Sequence, residues 1–128
     1  MSPRRSVVAV VDDDPRLLES IEDLLESAGH SVRLFSSPTA LLANDNLSEI
    51  DCLVSDVGMP AIDGFELRGL VKKARPELPV ILITGRHEIA DQQPQTAQGY
   101  QDFFRKPFDG QALLAAITQA LRASHGDA

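Results

Sequence analysis

The sequence has few of the features that would place a protein in a membrane or outside the cell. Only one cysteine, Cys52, occurs among 128 residues, so no internal disulfide can form. Its apolar neighbours predict that the side chain is buried. A lone cysteine of this kind is typical of a protein in a reducing compartment. The apolar run Val7 to Val11 is too short for a signal peptide or a membrane span. We therefore expect a cytoplasmic protein without membrane contact.

Basic residues are also in short supply. Lys and Arg together number 12 against 19 Asp and Glu, which gives a formal net charge of -7. Surfaces that bind nucleic acid need clustered Lys and Arg to displace counterions, so direct nucleic-acid binding is not expected. An acidic chain suits cations and basic partner surfaces instead.

No repeat, linker or long polar tract divides the chain. Hydrophobic residues make up 43% and charged residues 24%, which is ordinary globular usage, and 128 residues can bury one continuous core. We therefore predict one domain that spans residues 1–128.

Predicted strands and helices alternate along the sequence. The apolar segment Ser6 to Asp12 is typical of a strand buried on both faces, and a helix follows with Asp14 as N-cap, Pro15 in its first turn and Gly29 after its end. Further strands are predicted at 30–37, 51–57, 78–85 and 100–107, and further helices at 37–47, 65–74 and 109–123. This alternation predicts an α/β protein with a parallel sheet covered by helices on both faces.

The segment Arg86 to Gly99 departs from this pattern. Its position calls for a fourth helix between the fourth and fifth strands, but it is mostly polar and contains Pro94. Proline removes a backbone donor and disfavours helical geometry at the preceding residue. We therefore expect the fourth helix to be short or irregular.

Polar side chains stand at the carboxyl ends of the predicted strands, where ligands bind in open parallel sheets. They are Asp12 and Asp13 after strand one, Asp56 after strand three, Thr84 after strand four and Lys106 after strand five. Carboxylate oxygens suit Mg²⁺, and a carboxylate can also accept a phosphoryl group. A lysine and a hydroxyl could stabilise the charge on that group.

Four segments in matching order and spacing resemble the receiver domain of two-component response regulators. They are VVDDDP from Val10, LVSDVGMPAIDG from Leu53, VILITG from Val80 and DFFRKPF from Asp102. The resemblance covers nearly the whole chain and is closest to receivers that often precede a helix-turn-helix output domain. It implies a doubly wound, flavodoxin-like fold with five parallel strands in the order 2-1-3-4-5.

The resemblance also implies the chemistry of the site. Asp56 matches the phosphoacceptor, which receives its phosphoryl group from a sensor histidine kinase, a phosphotransfer protein or a small phosphodonor. Asp12 and Asp13 match the acidic pair that holds Mg²⁺, with Asp13 as the direct ligand. Gly58 matches the residue whose backbone carbonyl also binds the metal. Because Gly58 leaves no side chain over the acceptor, we expect water to reach the phosphoryl group easily and shorten its lifetime.

Three further residues match the switching elements of receivers. Thr84 matches the hydroxyl that moves to the phosphoryl group, Lys106 the cation that pairs with it, and Phe103 the aromatic residue that turns inward on activation. The bond between Lys106 and Pro107 matches a peptide that is typically cis. Such a domain is not an enzyme with a metabolite substrate: it catalyses only its own phosphorylation and dephosphorylation. Phosphorylation changes an interaction surface, and the phosphorylated protein could form a homodimer. The resemblance does not identify the output domain or the target protein.

Two departures from the receiver pattern bear on the signalling route. Tyr100 occupies a position that is usually small, and Pro94 interrupts the segment that normally contributes to the output face. A non-phosphorylated receiver-like interaction module is therefore one alternative. The other is a small phosphatase or phosphotransferase with an aspartate nucleophile, for which Asp12 would replace Asp56 as the reacting residue.

Overall fold

Five strands and four α-helices are present in the described part of the computed structural model, which comprises residues 6–59, 61–85 and 102–124. The strands are β1 (Val7–Val11), β2 (Ser31–Phe35), β3 (Cys52–Asp56), β4 (Val80–Thr84) and β5 (Phe103–Arg105). The helices are α1 (Pro15–Ser27), α2 (Pro38–Leu42), α3 (Gly64–Ala74) and α4 (Gly110–Ser124), with a short 3-10 helix at Asn46–Glu49. None of these helices is long and apolar enough to cross a membrane.

All strands run parallel in one sheet with the order β2-β1-β3-β4-β5. This order confirms the predicted doubly wound, flavodoxin-like fold. Every residue of β3 and β4 is buried, as expected for parallel strands that are covered on both faces. Cys52, the first residue of β3, is fully buried, and this burial raises the pKa of its thiol to about 12.

Side chains that alternate along β1 enter two separate cores, one on each face of the sheet. Val8 and Val10 pack with α1 and α4, whereas Ala9 and Val11 pack with α2 and α3. The sheet therefore holds its strand ends between two packed layers of helices.

The first helix begins and ends as the sequence predicts. Asp14 accepts a hydrogen bond from the backbone of Arg16 (3.0 Å), Pro15 opens α1, and Gly29 adopts a left-handed φ of +92° after its end. Glycine suits that position because it has no Cβ to strain the turn.

The second helix is shorter than predicted. It ends at Leu42 rather than continuing to residue 47, because Asn44 and Asp45 have left-handed φ angles of +55° and +65°. The fifth strand is also shorter than the predicted 100–107. The predicted irregular helix from Arg86 to Gly99, with Pro94, and the departure at Tyr100 lie outside the described residues.

The start of α3 packs directly against the end of β3. Asp63 and Glu66 form a reciprocal capping box that fixes where the helix begins. The backbone N–H of Gly64 donates to the carbonyl of Val57 (2.9 Å). A Cβ on Gly64 would lie 2.7 Å from the carbonyl oxygen of Asp56 and 2.8 Å from Cα of Val57. Only glycine allows this approach, so Gly64 sets how closely α3 follows Asp56.

We predict that Gly64→Ala destabilises the protein whereas Gly69→Ala, in the same helix, does not. The added methyl at position 64 must displace backbone, which costs about 1–3 kcal/mol for an overpacked site. At position 69 nothing lies within 4 Å of the added Cβ, so better helix propensity should add up to about 1 kcal/mol of stability. Urea unfolding of both variants measures the difference, and a Gly64→Ala variant as stable as wild type would contradict the packing described.

Candidate functional site

The carboxyl ends of four strands meet at one edge of the sheet, as the sequence predicts. Asp12 follows β1, Asp56 ends the neighbouring β3, Thr84 ends β4, and Lys106 follows β5. The first three are buried, with exposures of 2%, 7% and 0% respectively. Two acids, a hydroxyl and an amine are thus brought from distant parts of the sequence to one edge.

Asp12 is held in place by hydrogen bonds on both its backbone and its side chain. Its N–H donates to the carbonyl of Phe35 (3.1 Å), and its Oδ1 accepts from the N–H of Asp14 (2.8 Å). Burial raises the pKa of the Asp12 carboxyl, and the nearby Asp56 adds to this effect. An ionised Asp12 therefore depends on positive charge close by.

Lys106 supplies that positive charge to both buried acids. Its Nζ lies 3.4 Å from Oδ2 of Asp12 and 3.3 Å from Oδ1 of Asp56. Burial of Lys106 works to lower its pKa, but attraction to the two carboxylates outweighs this and raises the pKa of the ammonium group. The backbone N–H of Lys106 donates to the carbonyl of Thr84 (2.7 Å), and the following bond to Pro107 is cis, as predicted.

Three carboxylates form a compact group of oxygen donors. One oxygen each from Asp12, Asp13 and Asp56 can be chosen so that all lie within 4.8 Å of one another. Asp13 is exposed whereas the other two are buried, so the group opens to solvent on one side. Hard oxygen donors of this kind, with room for water, fit Mg²⁺. The contribution of the Gly58 carbonyl stays a prediction.

The two phenylalanines of β5 lie on opposite faces of the sheet. Phe103 is 9% exposed and packs into the core beside α2 and α3, whereas Phe104 packs into the core beside α1 and α4. Phe103 thus has the inward orientation that the resemblance associates with an activated receiver. Its ring stacks on Phe65 of α3, with centroids 6.2 Å apart.

Sequence reasoning missed two residues next to this site. The sequence pattern predicts only a loop at Gly64 and a helix at Phe65, although Gly64 contacts the backbone of Asp56 and Phe65 contacts Phe103. The pair Asp63-Gly64 at a helix start was an available signal for a close backbone approach. No periodicity distinguishes Phe65 from any other residue that packs on the sheet.

We predict that Asp12→Asn stabilises the protein in a buffer that chelates metal. Asparagine keeps an oxygen that can accept from Asp14 but removes a buried negative charge, so Tm at neutral pH should rise by a few degrees. A folded-state pKa above the ordinary 3.8 means that folded Asp12 binds its proton at a higher pH than unfolded Asp12. The unfavourable contribution of Asp12 to the free energy of unfolding of the wild type therefore diminishes as pH falls through the folded-state pKa.

The difference in Tm between Asp12→Asn and wild type should accordingly narrow at mildly acidic pH. Calorimetric scans of both proteins at neutral and acidic pH test this expectation. A variant that melts below wild type throughout that range would show that the charge of Asp12 is favourable without metal.

Comparison with known proteins places the chain in a family. The model of the response regulator receiver domain matches residues 8–118. The response regulator protein TodT of Pseudomonas putida is 38% identical over 95% of this chain and 54% of its own length. The transcriptional regulatory protein FixJ of Bradyrhizobium diazoefficiens is 38% identical over 90% of this chain and 56% of its own length. The chain therefore spans about half the length of these curated relatives.

A solved structure agrees with the sequence matches. The crystal structure of a response regulator receiver domain protein from Clostridium thermocellum has a TM-score of 0.79 and 29% identity, covering 94% of this chain and 97% of that one. Receiver domains generally bind Mg²⁺ at an acidic cluster and interact with histidine kinases. With a family model that spans most of its length, the chain belongs to the response regulator receiver domain family and is a receiver for phosphorylation signalling.

Proposed function

We propose that Asp56 is the residue of this receiver that accepts the phosphoryl group. The observation that supports this most directly is the position of Lys106, whose Nζ lies within 3.4 Å of both Asp12 and Asp56. A cation held between two buried carboxylates can pair with the phosphoryl oxygens once one of the carboxylates is phosphorylated. The donor is a partner histidine kinase, a phosphotransfer protein or a small phosphodonor.

Asp56 is better placed than Asp12 to react. Lys106 lies close to one oxygen of each acid, but the other oxygen of Asp12, Oδ1, also accepts a hydrogen bond from the backbone N–H of Asp14 (2.8 Å). Asp56 ends its strand directly before the loop that leads to α3. This difference favours Asp56 over the alternative of a phosphatase that uses Asp12 as its nucleophile.

The transfer proceeds by attack of an Asp56 carboxylate oxygen on phosphorus. An O–P bond forms while the bond from phosphorus to the donor nitrogen or oxygen breaks, and the electron pair leaves with the donor. Lys106 then pairs with the new phosphoryl oxygens, and the Thr84 hydroxyl donates a hydrogen bond to them. Water later attacks the same phosphorus and releases phosphate, which regenerates the free carboxylate.

Asp12, Asp13, Asp56 and the Gly58 carbonyl would hold Mg²⁺. When bound, this ion supplies positive charge that offsets the repulsion between the carboxylates and the incoming phosphoryl oxygens. The compact set of carboxylate oxygens and the exposed position of Asp13 support this assignment.

A groove beside Lys106 offers a surface for the partner. It has a volume of about 460 Å³ and is bordered by Leu17 and Leu24 of α1 and by Pro107 and Phe108 after β5. We infer that the histidine kinase or phosphotransfer protein docks here, because apolar contacts at this place would bring the donor to the strand ends. Residues 1–128 would act as one receiver domain in the cytoplasm.

We predict that acetyl phosphate with Mg²⁺ adds one phosphoryl group to the protein and that Asp56→Asn abolishes the addition. Mass spectrometry of intact protein and of its peptides measures the stoichiometry and the position. Asp14→Asn is the matched control, because asparagine also caps helices well and the exposed side chain of Asp14 caps α1 by accepting from the backbone of Arg16.

The labelling experiment separates the competing assignments. Chelation of Mg²⁺ should prevent labelling of the wild type, whereas Asp14→Asn should be labelled as wild type is. A phosphoryl group found on Asp12 would support the phosphatase alternative, and the absence of any label would support the non-phosphorylated interaction module.

We also predict that the phosphoryl group is short-lived and that Gly58→Leu prolongs its life. A side chain at position 58 should restrict the approach of water to phosphorus, so loss of label should slow several-fold. The decay of label after removal of the phosphodonor measures both rates. A wild-type half-life of many hours would contradict the idea that Gly58 leaves the site open.

A further inference from the structure

We propose that Phe65 is a positioning residue that holds Phe103 in its inward orientation and connects it to the phosphoacceptor. The inference rests on the proposed roles of Phe103 and Asp56. It assigns to α3 a part in switching that neither the receiver resemblance nor the strand-end residues provide.

The contact between the two rings is specific. Their centroids lie 6.2 Å apart with an angle of 23° between the ring planes, which is an offset stack within the attractive range for aromatic pairs. Phe103 is 9% exposed in this arrangement, while Phe65 is half-buried at the edge of the same core. The stack therefore favours the inward orientation of Phe103 before any phosphoryl group is present.

Arg68 makes a second contact with the ring of Phe65. Its guanidinium carbon lies 5.5 Å from the centroid of the Phe65 ring, which is within the range of a cation–π contact. Phe65 and Arg68 are three residues apart and so share one face of α3. The charge of Arg68 also lowers the pKa of Asp102, although burial raises that pKa overall. Arg68 thus contacts the Phe65 ring and carries a charge that also acts on the residue before Phe103.

The backbone of α3 connects this stack to the phosphoacceptor. Gly64 precedes Phe65, donates its N–H to Val57 (2.9 Å) and leaves no room for a Cβ beside the carbonyl of Asp56. A shift of the backbone after Asp56 must therefore move the first turn of α3, and with it the ring of Phe65. This contact path is a physical route from Asp56 to Phe103.

A second aromatic pair on the opposite face provides a matched control. Phe104 meets Phe108 with centroids 6.3 Å apart and an angle of 67°, and both rings pack in the core beside α1 and α4. Phe108→Leu should therefore disturb Phe104 and leave Phe103 unchanged.

The chain contains only five phenylalanines, so selective ¹³C labelling of their rings gives a small set of NMR signals for the full-length protein. Phe65→Leu keeps apolar bulk but removes the stack, so the ratio of inward to outward Phe103 should fall about fivefold. Labelling of Asp56 by acetyl phosphate should slow about two- to fivefold, because less of the protein is in the favoured orientation. Phe65→Tyr keeps a ring and should restore both values, and Arg68→Gln should cause a smaller change in the same direction.

Unchanged Phe103 signals and an unchanged labelling rate in Phe65→Leu would overturn the inference, even if that variant melts at a lower temperature. Should Phe65→Leu fail to fold, Phe103 signals in Arg68→Gln that match wild type would overturn it equally. A wild-type protein that is not labelled at Asp56 would refute the proposed function instead, because the ring signals report the position of Phe103 without any phosphoryl group.

Discussion

The contact of one lysine with two buried carboxylates is the interaction on which the rest of the site depends. Asp12 and Asp56 are both buried at neighbouring strand ends, and without a cation their charges would oppose each other in a medium that screens poorly. Lys106 follows β5, the edge strand, and its Nζ lies close to both carboxylates. Their attraction outweighs the effect of burial on the pKa of Lys106. This charge balance is sensitive to added charge, because a phosphoryl group or a metal ion at the site would change which oxygens pair with Lys106.

Close backbone packing makes that balance sensitive to geometry. The carbonyl of Asp56 is in contact with the first turn of α3 at Gly64, so Asp56 cannot shift independently of the helix. The same turn carries Phe65, which reaches across to Phe103 on β5. The strand-end residues are thereby connected to the stacked rings of Phe65 and Phe103. The capping box at Asp63 fixes the first turn of α3, through which this connection runs.

Local sequence patterns were most informative where the chain obeys one strong constraint. Strands β1, β3 and β4 were found correctly because unbroken apolar runs have few structural solutions other than a buried parallel strand. The sequence pattern predicts too long a second helix, because apolar spacing does not reveal the left-handed backbone at Asn44 and Asp45. Gly64 and Phe65 were missed for a related reason: their importance comes from neighbours that are distant or reached only across a turn.

The sequence by itself determined the alternation of strands and helices, the α1 cap at Asp14 and the set of polar residues at the strand ends. Those features are local, since they follow from the apolar period, turn chemistry and the position of each residue after its strand. Only the tertiary structure decided that Lys106 contacts both acids and that Phe103 packs into a core and stacks on Phe65. These are long-range contacts, and their geometry depends on how the two helical layers press on the sheet rather than on any short stretch of residues.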